Sequence, residues 1–369
     1  KVSVFGNGAV NPFYQGAAAG TKVNSSSNAQ KLNGKFIGID LKEALEAEGF
    51  TVNSALWEGI KAAEVKTTAQ TGNNELPIEK YTELTSTITA DYKETAIVVF
   101  SRIGKEGGDM RMQEEDSVSH KTVSSLALHQ SEKDLLEFIK AQGFGKVIVL
   151  LNAPNQMETY EIAPLCDSIL YIGTPGHQGF VGVAEILSGK VNPSGHIVDT
   201  YAKNSLSAPA TVNSGTETPT FSNLDYIHDK INGNGDQRAD YISTQVEGIY
   251  IGYKYYETRY ADSVIGGRGA DSTKGSRDNT AWKYGNEVDY TFGHGLSYTT
   301  FEQKLGSVTY DAGKDLYTIK VTVKNTGSVA GKSVVQLYAQ TPYGSYEINN
   351  KVEKSAVQLV GFAKTKLLK

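Results

Sequence analysis

The sequence predicts an α/β fold over residues 1–302, a mostly parallel sheet with helices on both faces, followed by an incomplete all-β module over residues 303–369. Three observations carry this reading. Short β-branched runs alternate with amphipathic stretches in the first part of the chain, the pattern of successive βαβ units. The candidate strands there are apolar almost throughout, which requires burial on both faces and therefore a parallel sheet covered by helices. From Leu316 the period changes to two, the pattern of strands with one buried face.

Lys1-Val-Ser-Val-Phe5 reads as the first strand. Asp40 to Gly49 places Leu41, Ala44 and Leu45 at helical spacing. It opens on an aspartate suited to accept from first-turn N–H groups and ends on a glycine suited to a left-handed terminus. Strands follow at Thr95–Phe100, Lys146–Leu151 and Asp167–Ile172, with a helix over Ser131–Gln142. Two polar, glycine-containing stretches, near 204–240 and 262–290, read as surface loop insertions. The alternating segments Tyr317–Lys324 and Ser333–Tyr338, joined through Asn325-Thr-Gly327, read as neighbouring strands of an antiparallel β-sandwich. Because this run of strands is cut off at Lys369, the sequence is expected to be part of a longer chain.

Composition narrows the function classes. There are 36 basic and 41 acidic side chains, a net charge of −5 and no basic stripe, so nucleic acid is not an expected partner. The longest apolar runs, such as Val147–Leu151 and Ile97–Phe100, fall far short of the roughly 20 residues that cross a bilayer, so no membrane partner is expected. A single cysteine, Cys166, excludes an internal disulfide and a cysteine-based zinc cluster, and its place before a strand suits a small core residue. His120 and His129 fit no metal-ligand spacing and are expected at the surface. Neither a metal nor an organic cofactor is expected, and a cytoplasmic and a secreted location are equally compatible with the sequence.

Two glycine-rich segments follow strands. In Phe5 to Gly20, Gly6 and Gly8 match the start of a dinucleotide-binding fingerprint. The third position is Asn11, Pro12 follows, and no helical pattern begins until about residue 40, so a long loop that approaches a ligand or neighbour closely fits better. Phe100 to Arg111 leaves the carboxyl end of a strand, the edge where open parallel sheets bind ligands. It projects Glu106 between glycines, flanked by Arg102, Lys105, Asp109 and Arg111. Taken alone, one glutamate in a charged loop reads as solvated surface. The tyrosine-rich run Tyr250–Tyr256 suits sugar stacking or the packing of one domain on another.

Four ordered motifs together resemble glycoside hydrolase family 3, whose best-known members are β-glucosidases. Ser101-Arg-Ile-Gly-Lys-Glu-Gly-Gly-Asp109 is similar to the family's S-R-x-x-G-E-G-x-D loop, with a departure around Lys105. Ile172-Gly-Thr-Pro-Gly-His-Gln-Gly179 and Gly189-Lys-Val-Asn-Pro-Ser-Gly195 resemble its P-G-x-x-G and G-x-x-N-P-S-G pair. Gln245 to Thr258 resembles E-G-I-Y-V-G-Y-R-Y-Y, and Phe292-Gly-His-Gly-Leu-Ser-Tyr-Thr-Thr-Phe301 resembles F-G-Y-G-L-S-Y-T-x-F. Val323 to Tyr338 and Leu359 to Thr365 are similar to the family's fibronectin-III-like module, here incomplete. The resemblance covers essentially all 369 residues.

The resemblance implies a retaining β-glycosidase acting on an oligosaccharide or aryl β-glycoside, with Glu106 as general acid/base. It also implies that the nucleophilic aspartate belongs to a TIM-like barrel, whose S-D-W and K-H-F motifs do not occur in this sequence. Such a mechanism needs two carboxyl groups about 5–5.5 Å apart, so this chain alone is expected to be inactive. Gly16, Ala19 and Gly20 match the family's sugar-facing G-G-x-G-S-G loop, with Ala19 where many members carry serine. Arg102 and Asp109 are candidates to touch substrate or, more in keeping with their place, to support the loop. Lys105 puts a cation beside Glu106, which favours the ionised carboxylate. The Ala19 departure keeps open a second reading, a catalytically degenerate carbohydrate-binding or scaffold module.

Overall fold

The computed structural model describes residues 1–14, 31–32, 35–36, 38–65, 74–102, 110–212 and 245–369. The chain divides into two compact units. The first joins Lys1–Ala184, Tyr201–Glu247 and Thr273–Asp289; the second joins Glu185–Thr200, Gly248–Ser272 and Tyr290–Lys369. In this division Glu185–Thr200 and Gly248–Ser272 group with Tyr290–Lys369. The greater part of the expected insertion at 204–240 lies outside the described residues.

In the first unit the described strands are β1 (Val2–Phe5), β2 (Lys31–Leu32), β3 (Lys35–Phe36), β4 (Thr95–Ser101), β5 (Gln113–Glu115), β6 (Thr122–Ser124), β7 (Lys146–Asn152), β8 (Ser168–Tyr171), β9 (Tyr201–Ala202) and β10 (Val288–Tyr290). The main sheet is parallel throughout, in the order β1-β4-β7-β8. Val52 adds a parallel bridge to Val2 on the outer side of β1, a rung the sequence pattern does not announce. All of β1 and Ala96–Ser101 of β4 are buried, as uniformly apolar strands require. The rule fails at β8. This strand closes one edge of the sheet, and its Tyr171 is 40% exposed.

Helices follow the strands for local reasons. After β1 comes one turn, α1 (Asn7–Val10), where the sequence suggested only loop. Gly6 enters it at φ 96°, and a Cβ there would collide with the Val99 carbonyl of β4, so the glycine serves strand packing. α2 (Leu41–Ala47) is capped as expected: Asp40 accepts from Glu43 N–H at 2.8 Å, Glu43 returns the bond to Asp40 N–H at 3.2 Å, and Leu41, Ala44 and Leu45 are buried. α3 (Ser54–Ala62) is capped by Asn53 and packs Leu56, Trp57 and Ile60 inward. After α4 (Ile78–Glu83), α5 (Gln130–Ala141) buries Leu135, Leu136 and Ile139. α6 (Gly179–Leu187) follows β8.

The second unit contains β11 (Phe301–Asp311), β12 (Leu316–Asn325), β13 (Val334–Ala339) and β14 (Gln358–Lys364). β11 pairs with β12 and β13 with β14, each antiparallel. The two alternating segments expected to neighbour each other, now β12 and β13, therefore belong to different strand pairs. The tight turn lies earlier, where Asp311 accepts from Gly313 and Lys314 N–H and closes the β11–β12 hairpin. Asn192 explains two of the sequence motifs at once: its Oδ1 accepts from Ser297 Oγ and Tyr298 N, and its Nδ2 donates to the Ala330 carbonyl. The tyrosine-rich run becomes a helix, Tyr253–Ile265, within this unit. The Tyr253 ring lies 4.6 Å from Phe292 and 6.1 Å from Tyr338, and its hydroxyl accepts from Leu359 N at 2.9 Å, so it packs protein on protein.

Two substitutions test the reading of α2. Asp40→Ala is expected to cost about 1 kcal/mol by loss of the cap, and Leu45→Ala, fully buried, about 3 kcal/mol by leaving a cavity. Urea unfolding measures both, and an unchanged midpoint for Asp40→Ala would contradict the capping geometry.

Candidate functional site

Because β1, β4, β7 and β8 run parallel, the segments that leave their carboxyl ends gather along one edge. Asn152, the last residue of β7, is fully buried and ties three of them together. Its Oδ1 accepts from Phe13 N at 2.7 Å, and its Nδ2 donates to the carbonyls of Phe13 at 2.9 Å and Gly173 at 2.7 Å. Its own carbonyl accepts from Arg102 N at 3.3 Å. No charged group is spent on this junction; an amide, with donor and acceptor on one planar head, satisfies backbone from both neighbours. The Pro175–Gly179 motif lies on the same edge. Gly176 N donates to the Tyr14 carbonyl, and the Tyr14 ring stacks on His177 with centroids 6.5 Å apart.

Of the residues singled out from the sequence, Gly16, Ala19, Gly20, Glu106 and Asp109 lie outside the described residues. Arg102 is described, and it is completely buried. Nε donates to the Ser125 carbonyl at 2.8 Å, Nη1 to the Ser101 carbonyl at 3.0 Å and Glu132 Oε1 at 2.6 Å, and Nη2 to the Ala127 carbonyl at 2.7 Å and Glu132 Oε2 at 2.7 Å. These bonds engage all five guanidinium N–H groups, leaving none for a sugar hydroxyl. Arg102 is the residue immediately before 103–109. On the far side, Met112 O accepts from Ser125 N at 3.3 Å and β5 pairs with β6. Both flanks of the Glu106 segment are thus fastened to one stretch, Ser125–Glu132.

His129, expected at the surface, is instead fully buried, whereas His120 is exposed and pairs with Glu115 at 3.0 Å. His129 sits at the start of α5, where its N–H donates to Glu132 Oε2 at 2.9 Å, and its ring faces Glu114 Oε1 at 3.2 Å and Asp116 Oδ2 at 3.4 Å. The Glu three residues after it is the legible sign of a helix start, though not of burial. Burial is the main influence and pushes the imidazole below its ordinary 6.5; Arg102 adds to that, against the pull of Glu132, Glu114 and Asp116. Burial would raise Asp116, but the N–H groups of Ser119, Gln130 and Val118 outweigh it and bring the carboxyl down to about 2. Near the other end of the edge, burial pushes Glu75 up to about 7, although Tyr81 O–H at 2.5 Å and the N–H groups of Leu76 and Asn7 donate to it. Cys166 is half-buried, and burial followed by the Asp167 charge pushes its thiol up to about 11, which suits no nucleophile.

The pH dependence follows from these directions. A depressed imidazole means that the unfolded chain binds the proton first, so the His129 contribution is complete above pH 6.5 and is lost as pH falls through the folded value. Glu75 acts in the opposite sense: its contribution is present below the ordinary 4.5 and fades as pH rises through about 7. His129→Gln is therefore expected to flatten the acid-side fall in the urea midpoint between pH 7 and pH 5, and an unaltered slope would show that His129 does not titrate with folding.

The chain matches the model of the glycosyl hydrolase family 3 C-terminal domain over residues 1–298. Beta-glucosidase A of Butyrivibrio fibrisolvens is 31% identical over 307 residues, covering 76% of this chain and 31% of that protein. A beta-glucosidase of Ruminococcus albus is 32% identical over 282 residues, covering 76% of this chain and 23% of that protein. Among solved structures, a beta-glucosidase from Paenibacillus barengoltzii superposes with a TM-score of 0.68 at 25% identity over 100% of this chain and 34% of its own. Beta-glucosidase 3B from Thermotoga neapolitana, in complex with glucose, does so with a TM-score of 0.66 at 24% identity, covering 100% and 43%. The chain spans less than a third of the length of the two curated relatives. A parallel sheet followed by antiparallel strand pairs, four ordered motifs and this match agree: the chain belongs to glycoside hydrolase family 3, as its C-terminal domain.

Proposed function

We propose that the protein is part of a retaining β-glycosidase, β-glucosidase-like, that removes terminal β-linked sugars. Glu106 protonates the leaving oxygen and then, as carboxylate, activates the water that releases the sugar; an aspartate on a TIM-like barrel outside this sequence attacks the anomeric carbon. One observation supports this most directly: the Glu106 segment follows the carboxyl end of β4, the ligand-binding edge of a parallel sheet, with Arg102 before it held by buried hydrogen bonds and β5 after it paired with β6. The names of the relatives supply the substrate class. The Gly16–Gly20 segment, with Ala19 and Gly20, forms a wall of the sugar site, and Asp109 supports the loop alongside Arg102. Ala19, where many members of the family carry serine, favours a second reading, a binding module that has lost turnover.

The readings part in one assay. In the intact protein, Glu106→Gln is expected to lower aryl β-glucoside hydrolysis by about 10²- to 10⁴-fold, while the 369-residue chain by itself gives no turnover. Binding of cellobiose with no hydrolysis by the intact protein would favour the binding module. Turnover by the isolated chain that Glu106→Gln abolishes would put the nucleophile within this sequence.

A further inference from the structure

Tyr253 is taken up by packing within the second unit, but Tyr250, from the same tyrosine-rich run, lines a cleft. The cleft has a volume of about 380 Å³ and lies between the helix Tyr253–Ile265 and the stretch 340–356, both within that unit. This size falls within the roughly 300–1,000 Å³ typical of small-molecule sites. Its walls are tied to each other. Thr258 Oγ1, on the helix, accepts from Ala356 N at 2.9 Å, and the Tyr253 hydroxyl accepts from Leu359 N at 2.9 Å. The shape is thus held by the fold itself, which lowers the ordering cost of binding.

The lining selects the kind of ligand. Arg268 Nη1 pairs with Asp262 Oδ1 at 3.1 Å and Lys354 Nζ with Glu347 Oε1 at 2.6 Å, so the two cations on the cleft are matched and no net charge is offered to an ion. The Arg268 guanidinium also lies over the Tyr343 ring, 4.8 Å from its centroid. A guanidinium covers one face of a ring, and Tyr343 is 39% exposed, so aromatic surface remains on the cleft. The Asp262–Arg268 pair, Gln340 and Thr341 bring acceptors and donors beside it. A neutral ligand with several hydroxyls and an apolar C–H face uses both kinds of surface. A purely apolar ligand would desolvate the charged pair and return no hydrogen bonds.

We propose that this cleft binds a neutral saccharide, with a sugar ring against Tyr343 and Tyr250 and its hydroxyls bonded to Asp262 and Arg268. The glycosidase reading supplies only the choice of saccharide to try; the cleft uses none of the residues assigned to cleavage.

The test uses the intact protein. It is first treated with 2,4-dinitrophenyl 2-deoxy-2-fluoro-β-glucoside, which leaves a sugar on the nucleophile and so occupies the hydrolytic site. Thiocellobiose, whose sulfur linkage resists hydrolysis, is then titrated in by calorimetry. One binding event is expected, weakened about tenfold by Tyr343→Ala. Asp262→Asn, which removes a charged acceptor and keeps the shape, is expected to weaken it about fivefold and serves if Tyr343→Ala does not fold. Tyr346→Ala, outside the lining and 71% exposed, is expected to leave the affinity unchanged. No binding at millimolar thiocellobiose, or binding that neither lining substitution weakens, overturns the inference. Failure of the fluorosugar to stop turnover would count against retaining cleavage instead, and the two substitutions would still report on the cleft.

Discussion

A guanidinium removed from water must have each of its five N–H groups answered, and the way Arg102 is answered organises this part of the molecule. Its partners are carbonyls of Ser101, Ser125 and Ala127 and both oxygens of Glu132. Removing one member of such a buried pair typically costs about 3–5 kcal/mol, because the remaining charge is left without compensation. That cost makes the arrangement nearly all-or-none. The end of β4, the turn after β6 and the start of α5 are held in one relation to each other. Asn152 does the same for the neighbouring strands with neutral bonds, so the edge from Phe13 to Gly173 is stitched by a single amide.

Charge is distributed around this edge with a consistent logic. Asp116 is kept ionised by three backbone N–H groups, while His129 beside it is kept from ionising mainly by burial. A neutral imidazole between two carboxylates avoids a second buried cation near Arg102, although the price is a sensitivity to acid. Glu75, pushed up to about 7, is the complementary case of a carboxyl group whose surroundings oppose its charge. The ionisation states of these buried groups are therefore set by packing and by backbone dipoles.

The features legible in the sequence were those that one short window determines. β1, β4 and β7 announce themselves as continuous apolar runs, and the α2 cap is written as Asp40 three residues before Glu43. Features that depend on distant partners were not legible. β12 and β13 alternate alike, but nothing local says that β12 turns back to β11 and β13 forward to β14. β11 itself reads Phe-Glu-Gln-Lys-Leu-Gly-Ser-Val-Thr-Tyr-Asp and is held by its pairing, since its side chains are mostly exposed. His129 gives no sign of burial, because the carboxylates that surround it come from β5, the turn after β5 and α5. Asn152 looks like a polar strand end, and its role appears only when three strand ends converge. For the site, Arg102 and Glu106 are marked by a motif that no spacing rule would have singled out, whereas Glu132, thirty residues on, emerges only from the hydrogen bonds.

The account stands or falls on Glu106 being the proton donor of a retaining cleavage. The most direct measurement replaces Glu106 by alanine in the intact protein and follows 2,4-dinitrophenyl β-glucoside with and without azide. With the acid/base gone, the glycosyl-enzyme still forms from this activated substrate but waits for a nucleophile that needs no base. The account predicts that azide restores the rate and that the product is β-glucosyl azide, the configuration retained. No acceleration by azide, or an azide of inverted configuration, would contradict it.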